Sequence, residues 1–142
     1  MPQVPLDEMK INTRIRLTAL WTAVMFCYVY GDYFALYIPG EAGELVDGDT
    51  LLNSPVKVFA ASVLMAIPPL VIIASVLARA RLARLLNIIF GFMFTAIMLL
   101  IVVTSFPITP EVSAYVFYAL LESVITIVLI RQAWKWPKVG AA

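Results

Sequence analysis

Four apolar stretches, each about long enough to cross a bilayer, dominate this chain of 142 residues. They run from about 17 to 38, 55 to 78, 85 to 104 and 111 to 130. A helix of roughly 20 residues crosses the hydrocarbon core of a membrane, which is about 30 Å thick. The chain is 63% hydrophobic and 13% charged, and a small soluble domain has too little interior for so much apolar surface. The sequence therefore predicts an all-α membrane protein, with one domain over 1–142 that forms an antiparallel bundle of four transmembrane helices.

The first apolar stretch has a competing interpretation as a signal peptide, because Arg14 and Arg16 precede it near the start of the chain. The apolar region of a signal peptide is usually about 7–15 residues long. The stretch here is longer and rich in aromatic residues. A transmembrane helix is therefore the better interpretation.

The charged residues predict the orientation in the membrane. If the four spans alternate in direction, nine basic residues fall on one side: Lys10, Arg14, Arg16, Arg79, Arg81, Arg84, Arg131, Lys135 and Lys138. The other side carries Glu41, Glu44, Asp47, Asp49 and Glu111, with Lys57 as its only base. Basic loops mark the cytoplasmic side. We therefore expect a multi-pass protein of the bacterial cytoplasmic (inner) membrane, with both termini in the cytoplasm and an outer acidic loop over 40–54.

Prolines predict two helix starts and one kink. Ser54-Pro55 combines a hydroxyl N-cap with proline at the first helical position. Thr109-Pro110-Glu111 repeats this arrangement and adds an acid near the positive end of the helix dipole. Pro68 and Pro69 fall near the middle of the second stretch, where proline removes a backbone N–H and displaces the carbonyl four residues earlier. We expect them to interrupt and kink that helix.

Missing residue types exclude several kinds of site. The chain has no histidine and one cysteine, Cys27, so it cannot form an internal disulfide or a Ser-His-Asp or Cys-His catalytic group. The usual ligand of metals and haem is also absent, so we predict no metal and no cofactor. No basic run is interleaved with aromatics, so a nucleic acid is not an expected partner. An enzyme is the least favoured class, because its acid–base chemistry would rest on Glu122, Asp32 and tyrosines alone.

Glu122 is the strongest functional candidate, because it lies near the midpoint of the fourth stretch. An ionisable residue at the bilayer centre costs about 2.5–3.5 kcal/mol on insertion scales, so it is expected to face the bundle interior. Tyr115 and Tyr118 precede it by seven and four residues, and Thr126 follows by four. Helical spacing places all four on one face, which forms a polar stripe.

Asp32 is the second candidate and lies in the outer half of the first stretch. Tyr28 is one turn earlier on the same face, and Gly31 would let a helix or a ligand approach closely. Lys57, at the outer start of the second stretch, lies at a similar depth and is expected to pair with Asp32. The competing interpretation of Lys57 is a lysine whose amine extends to the interface.

The carbonyls of Leu64 and Met65 lose their helical donors to Pro68 and Pro69, at about the depth of Glu122. We expect Glu122 to be protonated and to donate a hydrogen bond to one of these carbonyls or to a tyrosine. Such buried polar groups often serve only to join helices. Asn87, Gly91 and Thr95, each four residues apart, predict a close-packing seam on the third stretch.

Five segments carry a resemblance to a known family: Leu17-Thr18-Ala19-Leu20-Trp21, Met25-Phe26-Cys27-Tyr28-Val29-Tyr30-Gly31-Asp32-Tyr33-Phe34, Met65-Ala66-Ile67-Pro68, Leu86-Asn87-Ile88-Ile89-Phe90-Gly91 and Ala133-Trp134-Lys135-Trp136-Pro137. In these segments the chain resembles the DUF6326 family. The Tyr-Gly-Asp-Tyr-Phe piece around Asp32 is the most distinctive. The resemblance implies a small four-span membrane protein and implies no particular activity.

Two functional hypotheses follow from the sequence. In the first, the intramembrane acids bind or transport a small or lipid-like ligand, or protons, with Glu122, Asp32, Tyr118, Tyr28, Tyr115 and Lys57 as candidate residues. In the second, the chain is a structural or accessory subunit of a membrane complex or a homo-oligomer, held together by small residues at helical spacing. The first is favoured, because serine or threonine would join helices at much lower cost than a glutamate at the bilayer centre. In either case the lipid bilayer is a partner.

Overall fold

The computed structural model describes residues 9–109 and 112–137 and consists of helices. In chain order they are α1 (Thr13–Ala35), α2 (Glu41–Asp47), α3 (Pro55–Leu77), α4 (Ala80–Thr104) and α5 (Ser113–Trp134). The described part of the chain contains no β-strand. The fold class is therefore all-α, as the sequence predicts.

The four long helices pack in a ring. α1 packs against α3 and α5, and α4 packs against the same two helices. Neighbours run antiparallel: the start of α1 lies beside the end of α3, and the start of α4 lies beside the end of α5. The start of α1 also lies near the end of α5, where the Arg14 guanidinium is 5.6 Å from the Trp136 ring centroid. The described part of the chain therefore begins and ends at the same end of the ring.

Three helices of the described chain, α3, α4 and α5, are long and apolar enough to cross a membrane. Their outward faces expose large apolar side chains, among them Leu70, Phe92 and Val124. Such a surface suits lipid and is unusual in a soluble monomer, so these helices indicate a membrane protein. α1 has 23 residues but is not one of the three. Its tyrosines and Asp32 make it more polar. Length and composition therefore support three of the four expected spans.

The helix ends agree with one proline prediction and leave another untested. α3 begins at Pro55, and the side chain of Ser54 accepts a hydrogen bond from the Lys57 backbone N–H at 3.3 Å, which confirms the predicted start. The start predicted at Thr109-Pro110-Glu111 includes Pro110 and Glu111, which lie outside the described residues. α4 begins at Ala80, earlier than the predicted 85, because only a two-residue connection separates it from α3.

The predicted break at Pro68 and Pro69 is wrong, because α3 runs continuously from Pro55 to Leu77 with both prolines inside it. Pro68 is fully buried. Packing against the neighbouring helices keeps the helical path, although Leu64 and Met65 lack their usual N–H donors. A kink at this position stays a prediction.

The acidic segment over 40–54, which the sequence predicts to be an outer loop, contains a helix that was not expected. α2 has acids Glu41 and Glu44 in its first turn, where they complement the helix dipole. Gly40 and Gly48 flank it with φ angles of 100° and 76°, a region that side chains rarely adopt. These glycines let the chain turn sharply at both ends of α2.

A buried polar network joins α1, α3 and α4. The indole Nε1 of Trp21 donates to Oδ1 of Asn87 at 2.9 Å, and Nδ2 of Asn87 donates to Oγ of Ser75 at 2.8 Å. All three side chains are fully buried. Trp21 also packs edge-on against Phe94, with ring centroids 5.7 Å apart. The network fixes the relative positions of three helices towards the end of the ring where α1 begins and α5 ends.

The predicted seam on α4 is confirmed, because Asn87, Gly91 and Thr95 are all buried. Gly91 lies against α5 so closely that an added Cβ would be 2.7 Å from Cγ1 of Ile130. Oγ1 of Thr95 donates to Oγ1 of Thr126 at 2.7 Å, which adds a polar contact between α4 and α5. Small residues let these two helices approach closely.

Two arginines donate hydrogen bonds to backbone carbonyls at the ends of neighbouring helices. Nη1 of Arg14 donates to the carbonyl of Ala78 at 2.8 Å, beyond the last turn of α3. Nε of Arg84 donates to the carbonyl of Ala133, and Nη2 donates to that of Trp134, both at 3.2 Å. Carbonyls at a helix C-terminus lack intrahelical donors and favour a positive charge. Arg14 and Arg84, two of the basic residues that predict the orientation, therefore also join neighbouring helices.

Candidate ligand cavity at Glu122

The Glu122 side chain lies inside the ring and has no hydrogen-bond partner among the described residues. It is 2% exposed, and its Oε2 is buried without a partner. α5 brings it there because Glu122 shares a buried face of the helix with Val116, Ala119 and Ser123. Oγ1 of Thr126 donates to the backbone carbonyl of Glu122 at 2.9 Å, which leaves the carboxyl group itself without a partner. The carboxyl group is therefore buried with its Oε2 unsatisfied.

A cavity of about 100 Å³ surrounds this carboxyl group, and we call it the inner cavity. All four long helices contribute to its wall: Tyr28, Gly31 and Asp32 from α1, Met65 from α3, Ile97, Met98 and Ile101 from α4, and Tyr115, Tyr118, Ala119 and Glu122 from α5. It therefore brings together five of the six candidate residues that the sequence singled out. The wall has one polar side and one apolar side, because α3 and α4 supply only apolar side chains to it.

Tyr28 is the second unsatisfied group in the inner cavity. Its Oη is buried and has no hydrogen-bond partner. Its ring packs against Phe94, at a centroid distance of 6.0 Å. Buried polar atoms in folded proteins almost always have a protein or water partner. Two orphan oxygens in one cavity indicate a place where water or a ligand group binds.

Tyr118 and Gly31 shape the contact between α1 and α5 at this level. The Tyr118 ring stacks on Phe34, with centroids 6.3 Å apart and planes 13° apart. The missing side chain of Gly31 leaves room for Tyr118, whose Cβ would lie 3.7 Å from a Cβ added there. Sequence reasoning missed the contact of Phe34 with Tyr118, because this contact depends on how two helices pack.

A larger cavity, the outer basin, lies beside the inner cavity. It has a volume of about 780 Å³ and is lined by α2, the loop after it, and the ends of α1, α3 and α5 that are nearest to α2. Asp32 and Tyr115 line both cavities. The carboxyl groups in its wall belong to Asp32, Glu41, Glu44 and Asp49, and Lys57 is the only basic residue among the described residues that line it. The basin is therefore acidic, and it shares two lining residues with the inner cavity.

The expected ion pair between Asp32 and Lys57 is not present in the described structure. Both residues line the outer basin, but Nζ of Lys57 donates to Oδ1 of Asn53 at 2.8 Å. Asn53 is four residues earlier, just before α3, so the lysine finds a local partner in its own segment. Asp32 is exposed and forms no ion pair or hydrogen bond among the described residues.

The hydrogen bond expected from Glu122 is also absent. Among the described residues, its side chain bonds neither to the carbonyls of Leu64 and Met65 nor to a tyrosine. Met65 and Glu122 instead both line the inner cavity. At the level of Glu122 the inner cavity lies between the helices, so the expected contact is not formed.

The arrangement can attract and bind a positive charge. A carboxyl group, phenol oxygens and tyrosine rings face a small cavity, and all of these groups interact favourably with a cation. The described residues contain no group of three side chains that could hold a metal ion, so the site does not resemble a metal centre. A small organic cation is the chemical class that fits one carboxyl group among aromatic and apolar side chains.

Comparisons with known proteins identify the family and no activity. A family model described as "Family of unknown function (DUF6326)" matches residues 6–142, nearly the whole chain. The chain therefore belongs to this family, as its residues indicate. Searches of curated proteins and of solved structures found no match.

Proposed function

We propose that this member of the DUF6326 family crosses the cytoplasmic membrane four times and binds a small, positively charged ligand at Glu122. Both termini lie in the cytoplasm, and the outer basin faces outward. The observation that carries the proposal is the buried, unpartnered Oε2 of Glu122 in a cavity of about 100 Å³. A glutamate that only joined helices would have a partner on another helix, and this one has none among the described residues.

The fourth span in this proposal is α1. Its 23 residues make a helix about 34 Å long, at about 1.5 Å per residue, which is enough for the hydrocarbon core. α1 packs between α3 and α5, two helices that are apolar enough to cross a membrane. Asp32 lies near its outer end and opens onto the basin, so its charge need not be buried in lipid.

The acidic basin supports the choice of a cation. Four carboxyl groups and one lysine line it, so its potential is negative. Clefts lined with one sign of charge concentrate ligands of the opposite sign. Asp32 and Tyr115 then connect the basin with the inner cavity, where the Tyr28 and Tyr118 rings can contact the cation.

The alternative is a structural or accessory subunit, either in a homo-oligomer or with another membrane protein. Ser62 and Ala66 favour it, because both are exposed on α3 and lie one turn apart. Small residues on an outer helix face allow another helix to approach. In this alternative, Ser62→Leu dissociates an oligomer, and amines have no specific effect on the protein.

Thermal stability with added probes tests the proposed binding. We would measure the Tm of the purified protein with tetramethylammonium, methylammonium and the neutral control tert-butyl alcohol. A ligand that binds only the folded state raises its stability. We expect the cations to raise the Tm of the wild type and of the control Asp47→Asn, whose carboxyl group lines neither cavity, and not that of Glu122→Gln. Equal shifts in Glu122→Gln, or no shift in the wild type, would overturn the proposal.

A further inference from the structure

The inner cavity contains one deeply buried carboxyl group, and no basic residue of the described chain lines it. Lys57 lines only the outer basin and is bonded to Asn53, and Arg14 and Arg84 are bonded at the opposite end of the ring. A buried charge without a partner is so costly that the group takes up a proton instead. This cost favours the neutral, protonated form of Glu122 in the ligand-free cavity.

The other groups that face Glu122 leave few routes for a proton. α1 presents Tyr28 and Asp32, and α5 presents Tyr115 and Tyr118. α3 and α4 present Met65, Ile97, Met98 and Ile101, which do not titrate. Phenols keep their protons near neutral pH. The two carboxyl groups are therefore the exchangeable groups in this wall, and Asp32 is the one that also contacts the basin.

We propose that Glu122 exchanges its proton for the cation, so that the carboxyl group holds one or the other and never both. This inference rests on the proposed function and adds proton coupling to it. When the cation enters, the Glu122 O–H bond breaks, the carboxylate pairs with the cation, and the proton leaves through Asp32 to water in the basin. When the cation leaves, a proton returns by the same route. The net charge of the inner cavity is unchanged in both directions.

Two structural features fit this exchange. The shared lining by Asp32 and Tyr115 gives proton and cation one path between Glu122 and the basin. The small volume of the inner cavity, about 100 Å³, limits it to a single bound cation. The proton and the cation therefore compete for the Glu122 carboxyl group, because the cavity holds one cation and the carboxylate balances one positive charge.

Calorimetric titration with tetramethylammonium measures the exchange directly. The titration is repeated at about pH 6.5 in phosphate and in MES, whose ionisation enthalpies differ, so the difference in heat gives the number of protons released. We expect about one proton per bound cation, and an apparent Kd that rises about tenfold for each unit of decrease in pH. Binding without proton release would overturn the exchange and leave the proposed function intact. Absence of binding would overturn both.

The variant Asp32→Asn separates the two carboxyl groups. If Glu122 is the exchanging group, Asp32→Asn still releases about one proton per cation, although it binds more slowly because the path is altered. If the release is lost while binding persists, Asp32 is the exchanging group and the inference is wrong. Asp47→Asn is the matched control, because Asp47 belongs to α2 and lines neither the basin nor the inner cavity. It should change neither the proton count nor its dependence on pH.

Discussion

The Trp21 indole and the Asn87 amide form a buried hydrogen bond of 2.9 Å, and every other polar contact of Asn87 is also made within the ring. This network lies towards the end of the ring where α1 begins and α5 ends. Further along the ring, Glu122 and Tyr28 line a cavity and have buried oxygen atoms without partners among the described residues. The polar side chains of Trp21, Asn87 and Ser75 thus bond to one another, whereas those of Glu122 and Tyr28 face a cavity.

The network predicts a large stability loss on Asn87→Ala. The substitution leaves the indole N–H of Trp21 without an acceptor, and Oγ of Ser75 no longer accepts a hydrogen bond from Asn87. An unsatisfied buried group costs about 1–3 kcal/mol. The Tm in detergent should fall clearly. Ser62→Ala is the matched control, because Ser62 is exposed and bonds only within its own helix, to the Val58 carbonyl. An equal Tm for both variants would show that the network adds little stability.

Glu122→Gln should not destabilise the protein. Glutamine has nearly the same shape as a neutral glutamic acid, and no protein partner of the Glu122 side chain is lost among the described residues. We expect a Tm equal to or above that of the wild type, as is common when a functional group is retained at the expense of stability. A Tm decrease as large as that of Asn87→Ala would place Glu122 in a structural network and favour the subunit alternative.

Two glycine substitutions should differ in their effect. In Gly91→Ala, the new Cβ would be 2.7 Å from Cγ1 of Ile130, so α4 and α5 must separate or Ile130 must move. Overpacking of this kind costs about 1–3 kcal/mol. In Gly31→Ala, the nearest atom is 3.7 Å away, which is ordinary van der Waals contact. Thermal unfolding of both variants checks the packing, and an equal Tm for the two would contradict it.

Arg84 should contribute to stability and Arg81 should not. Arg84→Gln removes the donors to the Ala133 and Trp134 carbonyls at the end of α5, and we expect a loss of about 1 kcal/mol. Arg81 is exposed and forms no hydrogen bond or ion pair among the described residues, so Arg81→Gln is a control with the same change in charge. Chemical unfolding of both variants in mild detergent measures the difference. Identical unfolding curves would show that the contacts of Arg84 are not stabilising.

Cysteine labelling tests whether α1 crosses the membrane. In a Cys27→Ala background, Lys10→Cys and Glu44→Cys place one thiol before α1 and one after it. A membrane-impermeant maleimide added to intact cells should label Glu44→Cys, and should label Lys10→Cys only after the membrane is opened. Lys135→Cys, after α5, should behave as Lys10→Cys does. Labelling of Lys10→Cys in intact cells would mean that the four-span orientation is wrong.

The sequence alone determined the helical class, the apolar stretches and the residues worth attention, because these depend on local composition and helical spacing. The start of α3 at Ser54-Pro55 and the buried face around Glu122 are local in this sense. Tertiary structure decided which of these residues meet. Among the described residues, Asp32 forms no ion pair with a lysine, and Glu122 lines a cavity and does not bond to a carbonyl. Arg14 and Arg84 bond to helices that are distant in the sequence. The physical reason is that helical periodicity fixes which face a side chain occupies, whereas partners and cavities depend on how four helices pack together.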